Sequence, residues 1–410
     1  MTNRNRKAVV NQKDKSNHAL RYRGSSTTPQ DDEDDSDGEK RIWGLSVRLI
    51  ILSACFVSGF GFIMLYFNAA SEMKNVTETN YAELVNSEFN LQNYSFATDR
   101  VNIRDNASLQ EFTKYFDCQL PVLIRGVVNE WPSMKWNRDF FKSHYGNQKV
   151  PVVSVEGAMI NAEVKTMTIE EFSQVVPDGK PSRWHYVQDE LFINRHDKLK
   201  ADIGEAIYFK ENFFKLFPEE IRPWDAMLLW GSAHSRSHLH IDPYNWTGTN
   251  AVLHGRKRWK LFPPGQDNKF YITPNQMCGF PLNCYKYNSP IDSFNIDDEK
   301  YPLFRNVNYI EIEQNAGELL IIPPGWFHQV YNPVETIAIS SQIMNSKNYN
   351  IILKEIIAAN KLISDAFPDD IESYSPKEKV LFILALLPDE VIQRGRMITD
   401  QIIQQFYGNQ

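Results

Sequence analysis

The feature that most limits how this chain can fold is the pair His240 and Asp242, which lies in the stretch Ser237–Pro243 and is separated by one residue. Side chains on a β-strand alternate between two faces, so this spacing directs the imidazole and the carboxylate to the same side. Leu239 and Ile241 then point to the opposite side. We therefore predict a strand that offers two metal ligands on one face and packs into an apolar core on the other.

A third ligand must come from elsewhere in the chain, and His328 is the best candidate. It follows the apolar run Leu319–Ile322, which is typical of a buried strand, and Pro323–Gly325, which favours a turn. Two histidines and one carboxylate leave coordination positions open, as in non-haem Fe(II) oxygenases. The alternative is a structural His240–Asp242 pair beside an ordinary buried histidine.

The surrounding residues carry a family resemblance. The pattern resembles the jumonji-C (JmjC) family of 2-oxoglutarate oxygenases over residues 105–345, and most closely its branch of protein hydroxylases that includes the nuclear arginine demethylase/lysyl hydroxylase. The matching positions are His240–Pro243, Asn250, Gly255–Pro264, Gly317–Glu318, Pro323–Trp326 and His328. A His-x-Asp pair alone would be weak grounds, but the complete set occurs here in order.

The resemblance implies a mostly-β fold: a double-stranded β-helix (jelly-roll or cupin) barrel with flanking helices. It also implies Fe(II), 2-oxoglutarate and O₂ as cofactor and cosubstrates, with His240, Asp242 and His328 as catalytic metal ligands. The expected reaction couples conversion of 2-oxoglutarate to succinate with hydroxylation of a substrate C–H bond. On an N-methyl group, the same step would remove the methyl group.

The resemblance also assigns cosubstrate contacts. Lys257 matches the lysine that neutralises the distal carboxylate of 2-oxoglutarate, and its alternation with Trp259 on an apolar face favours an inward orientation over a solvated basic turn. Asn250, Ser340 and Tyr186 match further cosubstrate-binding positions.

Ser237 also matches a hydroxyl position of the family, but strict alternation would turn it away from His240 and Asp242. Either a bulge turns it inward or the assignment fails. His238 is the residue that alternation places inward instead.

An uncharged apolar run covers residues 49–67, which is long enough for a helix to cross the hydrocarbon core of a bilayer. A long polar stretch precedes it, which disfavours a cleaved signal peptide. We therefore predict, in order along the chain, a disordered charged tail, a transmembrane helix, a stem, a JmjC catalytic domain and a C-terminal helical segment. Their bounds are 1–45, 46–67, 68–104, 105–345 and 346–410.

Lys40, Arg41 and Arg48 precede the apolar run and only Lys74 lies close after it, so the positive-inside rule predicts a cytoplasmic N-terminus. The catalytic domain would then lie in the secretory-pathway lumen (endoplasmic reticulum or Golgi) or outside the cell. Acceptor sequons for N-glycosylation fit that side and occur at Asn75, Asn93 and Asn106. A fourth, at Asn245, lies inside the proposed site, and we expect it to be unmodified.

Composition and the outer segments add further expectations. The net charge of −7 argues against nucleic acid as the main partner. Beyond the membrane run, Cys278 and Cys284 are close enough in sequence to pair in an oxidising lumen, which would leave Cys118 free. The segment 265–310 is either a lid or substrate platform or a surface insertion. The C-terminal helices are expected to pack on the barrel or to form a homodimer with a second copy.

Together these features predict a single-pass, membrane-anchored dioxygenase that hydroxylates a protein side chain. One alternative is a tethered cupin-fold interaction module that has lost its chemistry, which the complete ligand set disfavours. The other is a lysine or arginine (histone) demethylase, which the membrane run and the lack of a chromatin-reading module disfavour.

Overall fold

Alternating apolar and polar residues generate many of the strands of this chain, and burial alternates strictly along Ile310–Asn315. The computed structural model describes residues 73–75, 101–272, 276–277, 281–360, 366–368 and 370–408. All of these residues belong to one compact unit, which spans residues 70–410. The strands in the described ranges are β1 (Met73–Asn75), β2 (Asn102–Asp105), β3 (Val122–Arg125), β4 (Lys149–Glu156), β5 (Glu163–Thr168), β6 (Arg183–Asp189), β7 (Met227–Gly231), β8 (Leu239–Ile241), β9 (Thr247–His254), β10 (Arg256–Phe262), β11 (Gln276–Met277), β12 (Tyr285–Ser289), β13 (Ile310–Asn315), β14 (Glu318–Ile322), β15 (Phe327–Tyr331), β16 (Thr336–Ile343) and β17 (Ala366–Pro368).

Most strands join one of two large sheets. The nine-stranded sheet has the order β2-β3-β14-β9-β16-β7-β6-β4-β5, and the six-stranded sheet has the order β11-β12-β8-β15-β10-β13. Neighbouring strands are antiparallel except β2 and β3, which are parallel. The expected mostly-β fold with flanking helices is confirmed, and most of its strands form two large sheets. Strand β2 lies largely in the segment predicted as a stem, and β1 pairs with β17.

Local sequence signals fix several helix starts. Thr168 and Ser375 each form a complete capping box with the glutamate three residues later. The α-helices in the described ranges are α1 (Leu109–Tyr115), α2 (Arg138–Tyr145), α3 (Ile169–Val175), α4 (Asp197–Ala201), α5 (Tyr349–Asn360), α6 (Pro376–Ala385) and α7 (Asp389–Ile402).

Two hydrophobic clusters hold the helices on the sheets. Helices α1 to α3 contribute Phe112, Phe141 and Phe172 to a core that includes Trp230 of β7. The C-terminal helices share a second core with barrel residues such as Trp246, so they pack on the barrel, which was the first of the two expectations for them. Pairing with a second copy stays a prediction.

Several predicted features lie outside the described residues. These are the charged tail, the apolar run 49–67 and Cys278. Within the described ranges, no helix combines the length and apolar character that a membrane crossing needs. Cys284 is disulfide-bonded, but its pairing with Cys278 stays a prediction. Cys118 is buried and is not part of a disulfide, as expected for one of the three cysteines beyond the apolar run.

Candidate active site

Strands β8 and β15 bring the three predicted metal ligands together. The two strands pair directly at His240 and His328, and Asp242 follows immediately after β8. The Nε2 atom of each histidine lies 3.6 Å from Oδ1 of Asp242, and all three ligand atoms fall within 4.8 Å of one another. Leu239 is fully buried on the opposite face, as alternation predicts.

Each histidine is oriented by a backbone carbonyl two residues earlier. Nδ1 of His240 lies 2.8 Å from the carbonyl oxygen of His238, and Nδ1 of His328 lies 3.0 Å from that of Trp326. A carbonyl can only accept, so Nδ1 of each ring carries a proton. Nε2 is therefore the atom of each ring that is left to bind a metal.

Electrostatic interactions favour the protonation state that metal binding needs in two of the three ligands, His328 and Asp242. Burial, reinforced by the nearby His240, lowers the pKa of His328 to about 4, so this ring is neutral near pH 7. Burial alone would raise the pKa of Asp242, but the nearby His328 and His240 and a hydrogen bond from Trp246 lower it overall. Asp242 is therefore an anion. The same carboxylate outweighs burial at His240 and raises the pKa of that ring.

Gly248 makes room for the carboxylate ligand. A Cβ atom at this position would lie 2.1 Å from Oδ2 of Asp242, a distance at which atoms overlap. We did not single out Gly248 in the sequence, although a glycine inside a strand often marks a close approach of another group. Trp246, which hydrogen-bonds to Asp242, was missed as well.

The loop between Asp242 and β9 has an unusual backbone. Tyr244 and Asn245 both have positive φ, at 54° and 57°. The side-chain oxygen of Asn245 accepts a hydrogen bond from the backbone N–H of Gly325, in the turn before His328. Gly325 itself has a φ of 79°, which fits the predicted turn. The side-chain oxygen of Asn245 is thus engaged within the site, and the absence of a glycan at this sequon stays a prediction.

Lys257 is buried without an anionic partner. Its side chain is on the inward face of β10, 1% of the residue is exposed, and Nζ donates a hydrogen bond to the Tyr186 hydroxyl at 3.2 Å. Nζ also lies 5.7 Å from the ring centroids of Tyr186 and Trp259. Among the described residues no carboxylate pairs with it, and burial lowers its pKa to about 7. The predicted inward orientation is observed.

Three other predicted cosubstrate residues line a cavity that also contains the metal triad. Asn250 and Ser340 are paired across β9 and β16, and both line the cavity together with Tyr186. The side-chain oxygen of Asn250 is buried and has no hydrogen-bond partner among the described residues. The Ser340 hydroxyl donates to the carbonyl oxygen of Thr249 at 3.0 Å. Burial raises the pKa of Tyr186, so its hydroxyl keeps its proton.

Ser237 lies at the cavity wall, but its hydroxyl is engaged with the backbone. It donates to the carbonyl oxygen of His238 at 2.9 Å and accepts from the N–H of Val330 at 3.1 Å. β8 begins only at Leu239, so alternation does not extend to Ser237. The side chain of His238, which alternation placed inward, is exposed at the edge of the cavity.

The triad opens into a cavity of about 460 Å³, a size typical of small-molecule sites. Its walls are rich in aromatic side chains. These are Trp184, Tyr186, Trp224, Trp246, Trp259 and Tyr285.

The segment 265–310 forms part of this site. Its strand β12 pairs with β8, placing Asn288 opposite His240. Asn288 lines the cavity, and an ion pair between Arg236 and Asp292 (3.1 Å) holds the segment to the barrel. Of the two alternatives for this segment, these contacts favour a wall of the site over a remote insertion.

Comparison with known proteins agrees with this geometry. A family model described as a cupin-like domain matches residues 108–352. The chain is similar to a lysine-specific demethylase, JMJ21, of Arabidopsis thaliana (29% identity, 64% of this chain, 27% of the relative). It is similar to a bifunctional arginine demethylase and lysyl-hydroxylase, psr-1, of Caenorhabditis elegans (26% identity, 67% of this chain, 68% of the relative). It is also similar to a 2-oxoglutarate and iron-dependent oxygenase, the JMJD4 homolog of Drosophila melanogaster (22% identity, 63% of this chain, 67% of the relative). The match thus spans about a quarter of the first relative and about two thirds of the other two.

Proposed function

This chain belongs to the cupin-like domain family, and on that basis we propose that it is an Fe(II)- and 2-oxoglutarate-dependent oxygenase that modifies a protein side chain. One observation carries the proposal: the His240–Asp242–His328 triad lines a cavity, and the buried Lys257, which has no carboxylate partner among the described residues, donates a hydrogen bond to Tyr186 in the wall of the same cavity. A metal site explains the triad, and a dianionic cosubstrate explains the lysine.

The donor set fits Fe(II). Two neutral imidazoles and one carboxylate suit a divalent iron and leave coordination positions for other ligands. When bound, iron and 2-oxoglutarate together supply the oxidising power to insert one atom of O₂ into a substrate C–H bond, with succinate and CO₂ as by-products. The cavity that adjoins the triad gives such ligands a place to bind.

The protein's own residues bind the cosubstrate and orient the metal ligands. Lys257 and the protonated hydroxyl of Tyr186 form a donor pair for the distal carboxylate of 2-oxoglutarate, and the buried Asn250 side chain contributes a further polar contact. The Nδ1–H groups of His240 and His328 remain on their backbone carbonyls, which holds both rings in one orientation. The aromatic walls limit access of water to the reacting atoms.

A protein substrate is supported by the names of the relatives, which act on lysine or arginine residues. Hydroxylation is the favoured outcome, and demethylation of an N-methylated side chain is the second candidate, since both activities occur among these names. The products separate them: hydroxylation adds one oxygen atom to the substrate, whereas demethylation releases formaldehyde.

The membrane anchor, the luminal position of the catalytic domain and a homodimer are also proposals. Their support is the apolar run 49–67, its basic flank and the apolar C-terminal helices. Protease protection of sealed microsomes, together with glycosidase treatment, tests the topology. Light scattering of the detergent-solubilised chain tests the oligomeric state.

The enzyme proposal is tested with the purified full-length chain, supplied with Fe(II), ascorbate and 2-oxoglutarate. We expect succinate to form above the level of a His240→Ala variant, which lacks one metal ligand. An Arg258→Ala variant, which changes an exposed residue paired with Glu311, should behave as the unmodified chain. A chain that binds neither metal nor 2-oxoglutarate would contradict the proposal and favour the interaction-module alternative.

A further inference from the structure

The end of helix α7 reaches the candidate active site. Ile402 is the last residue of this helix, is half-buried, and lines the same cavity as the metal triad. This helix lies beyond residue 352, where the family match ends. The family resemblance therefore does not account for the contact.

Helix α7 packs closely against the 3-10 turn Glu219–Ile221. A Cβ atom on Gly395 would lie 2.4 Å from the carbonyl oxygen of Glu220 and 2.7 Å from a side-chain carbon of Ile221, so only glycine permits this approach. The Arg396 guanidinium also pairs with the Glu220 carboxylate at 2.6 Å.

A second attachment lies just after the helix, where a π-helical turn spans Ile403–Tyr407. Tyr407 is 1% exposed and donates a short hydrogen bond to the carboxylate of Asp189. The Arg195 guanidinium lies 4.1 Å from the centroid of the tyrosine ring. Asp189, 0% exposed, also accepts from the backbone N–H groups of Leu191 and Phe192. The carboxylate of Asp189 is therefore held in place by the turn that follows β6, and it gives the Tyr407 hydroxyl a fixed partner.

The attachment acts on the strand that forms the cavity wall. Asp189 ends β6, and its neighbours Gln188 and Glu190 both line the cavity. Side chains alternate along a strand, so Tyr407 contacts the face of β6 that points away from the cavity. Ile402 and the end of β6 are therefore positioned together.

We propose that residues 389–407, which we call the C-terminal strap, form one side of the entrance to the active-site cavity. Ile402 limits the passage of ligands, and Tyr407 is a positioning residue that keeps the strap against β6. The inference rests on the proposed function, because the first ligand to pass this entrance is 2-oxoglutarate and the second is the substrate side chain.

The test measures how fast 2-oxoglutarate enters and leaves the full-length chain loaded with Mn(II), using stopped-flow tryptophan fluorescence. A side chain that borders only the entrance changes both rate constants by the same factor and leaves the Kd unchanged. We expect Ile402→Trp to lower both rates at least about threefold and Ile402→Ala to raise them, with the Kd constant within about twofold. Met397→Trp is the matched control, because Met397 lies on the same helix and is 59% exposed.

Tyr407→Phe should act like Ile402→Ala on both rates, because it removes the hydroxyl that reaches Asp189. It should also increase hydrogen–deuterium exchange of the strap backbone, a readout that needs no ligand. Unchanged exchange in Tyr407→Phe would overturn its positioning role.

Two results would overturn the role of Ile402. Unchanged rates in a correctly folded Ile402→Trp variant would show that this side chain does not border the entrance. A changed Kd at a constant association rate would make it a direct ligand contact instead. Failure of the proposed function is distinct from both, since the unmodified chain would then give no 2-oxoglutarate signal at all.

Discussion

We expect the affinity for 2-oxoglutarate to fall as the pH rises above 7, because the lysine that binds it loses its proton there. Burial lowers the pKa of Lys257 to about 7 in the ligand-free chain. A bound dianion favours the charged ammonium, so binding raises this pKa again. Below the ligand-free pKa the lysine is already charged. Above it, each binding event must also take up a proton.

The size of the effect follows from this linkage. Well above the ligand-free pKa and below the bound pKa of Lys257, the Kd rises by about tenfold per pH unit. Half of the lysine is already deprotonated at pH 7, so binding at pH 9 is about fiftyfold weaker than at pH 7. At pH 8 about 0.9 proton is taken up per 2-oxoglutarate bound. 2-Oxoglutarate itself remains a dianion throughout this range, since its carboxylates titrate near pH 4 or below.

Isothermal titration calorimetry of the Mn(II)-loaded chain between pH 6.5 and 9 measures both quantities. The Kd gives the slope, and repeating the titration in buffers of different ionisation enthalpy gives the number of protons. Lys257→Arg keeps a permanent charge, so its Kd should be independent of pH over this range whatever its absolute value. Arg258→Ala changes an exposed residue of the same strand and should reproduce the unmodified profile.

Removing the charge gives a second measure of the same interaction. Lys257→Ala leaves the distal carboxylate buried without a cation, which costs on the order of 3–5 kcal/mol. This corresponds to roughly a hundredfold to a few thousandfold weaker binding at pH 6.5. The reasoning is refuted if the unmodified chain shows a pH-independent Kd without proton uptake, or if Lys257→Ala and Arg258→Ala cause equal, small losses.

Four further predictions concern single residues. Gly248→Ala should weaken Mn(II) binding at least about tenfold, measured by titration with the thermal midpoint as a folding control, because the new methyl group displaces the Asp242 carboxylate. Trp246→Phe removes the hydrogen bond to Asp242 and should lower Mn(II) affinity about 10- to 100-fold in the same titration. Ser375→Ala removes a helix cap and should lower the free energy of unfolding by about 1 kcal/mol in urea without changing the 2-oxoglutarate Kd. Asn245 should carry no glycan in peptide mass spectrometry of the chain purified from a eukaryotic host, since its amide is engaged within the site.

Features that depend on a few neighbouring residues could be predicted from the sequence. Strand alternation placed His240 and Asp242 on one face and Lys257 inside the barrel, and both arrangements are observed. The Ser/Thr-x-x-Glu patterns at Thr168 and Ser375 likewise mark the starts of two helices. In each case the decisive contacts lie within about four residues, so one-dimensional spacing contains the information.

Alternation failed where the strand ended. Ser237 precedes β8, and its backbone N–H pairs with the carbonyl oxygen of Val330 instead of continuing a regular ladder on the metal-bearing face. Its hydroxyl then finds two backbone partners. Side-chain alternation predicts orientation only within the strand itself, and the sequence does not show where β8 begins.

Contacts between distant segments could not be predicted. Tyr407 meets Asp189 across 218 residues, and β12 joins the metal-bearing sheet beside β8 after a long connection. Neither segment contains a sequence motif that indicates which residues it will contact. The outcome depends on which surfaces remain uncovered after the barrel closes, and only the assembled fold determines that.

The three ligands of the triad differ in how they are held, and this difference predicts where the site is weakest. His240 and His328 are each oriented by the carbonyl of the residue just before their own strand, so the orientation of each ring is set locally. Asp242 has no such local partner among the described contacts. It depends on the indole of Trp246, which follows two residues of positive φ, and on the space left by Gly248. Changes that distort this short loop should therefore release the carboxylate while both imidazoles stay in place, and metal affinity should fall before the barrel loses stability.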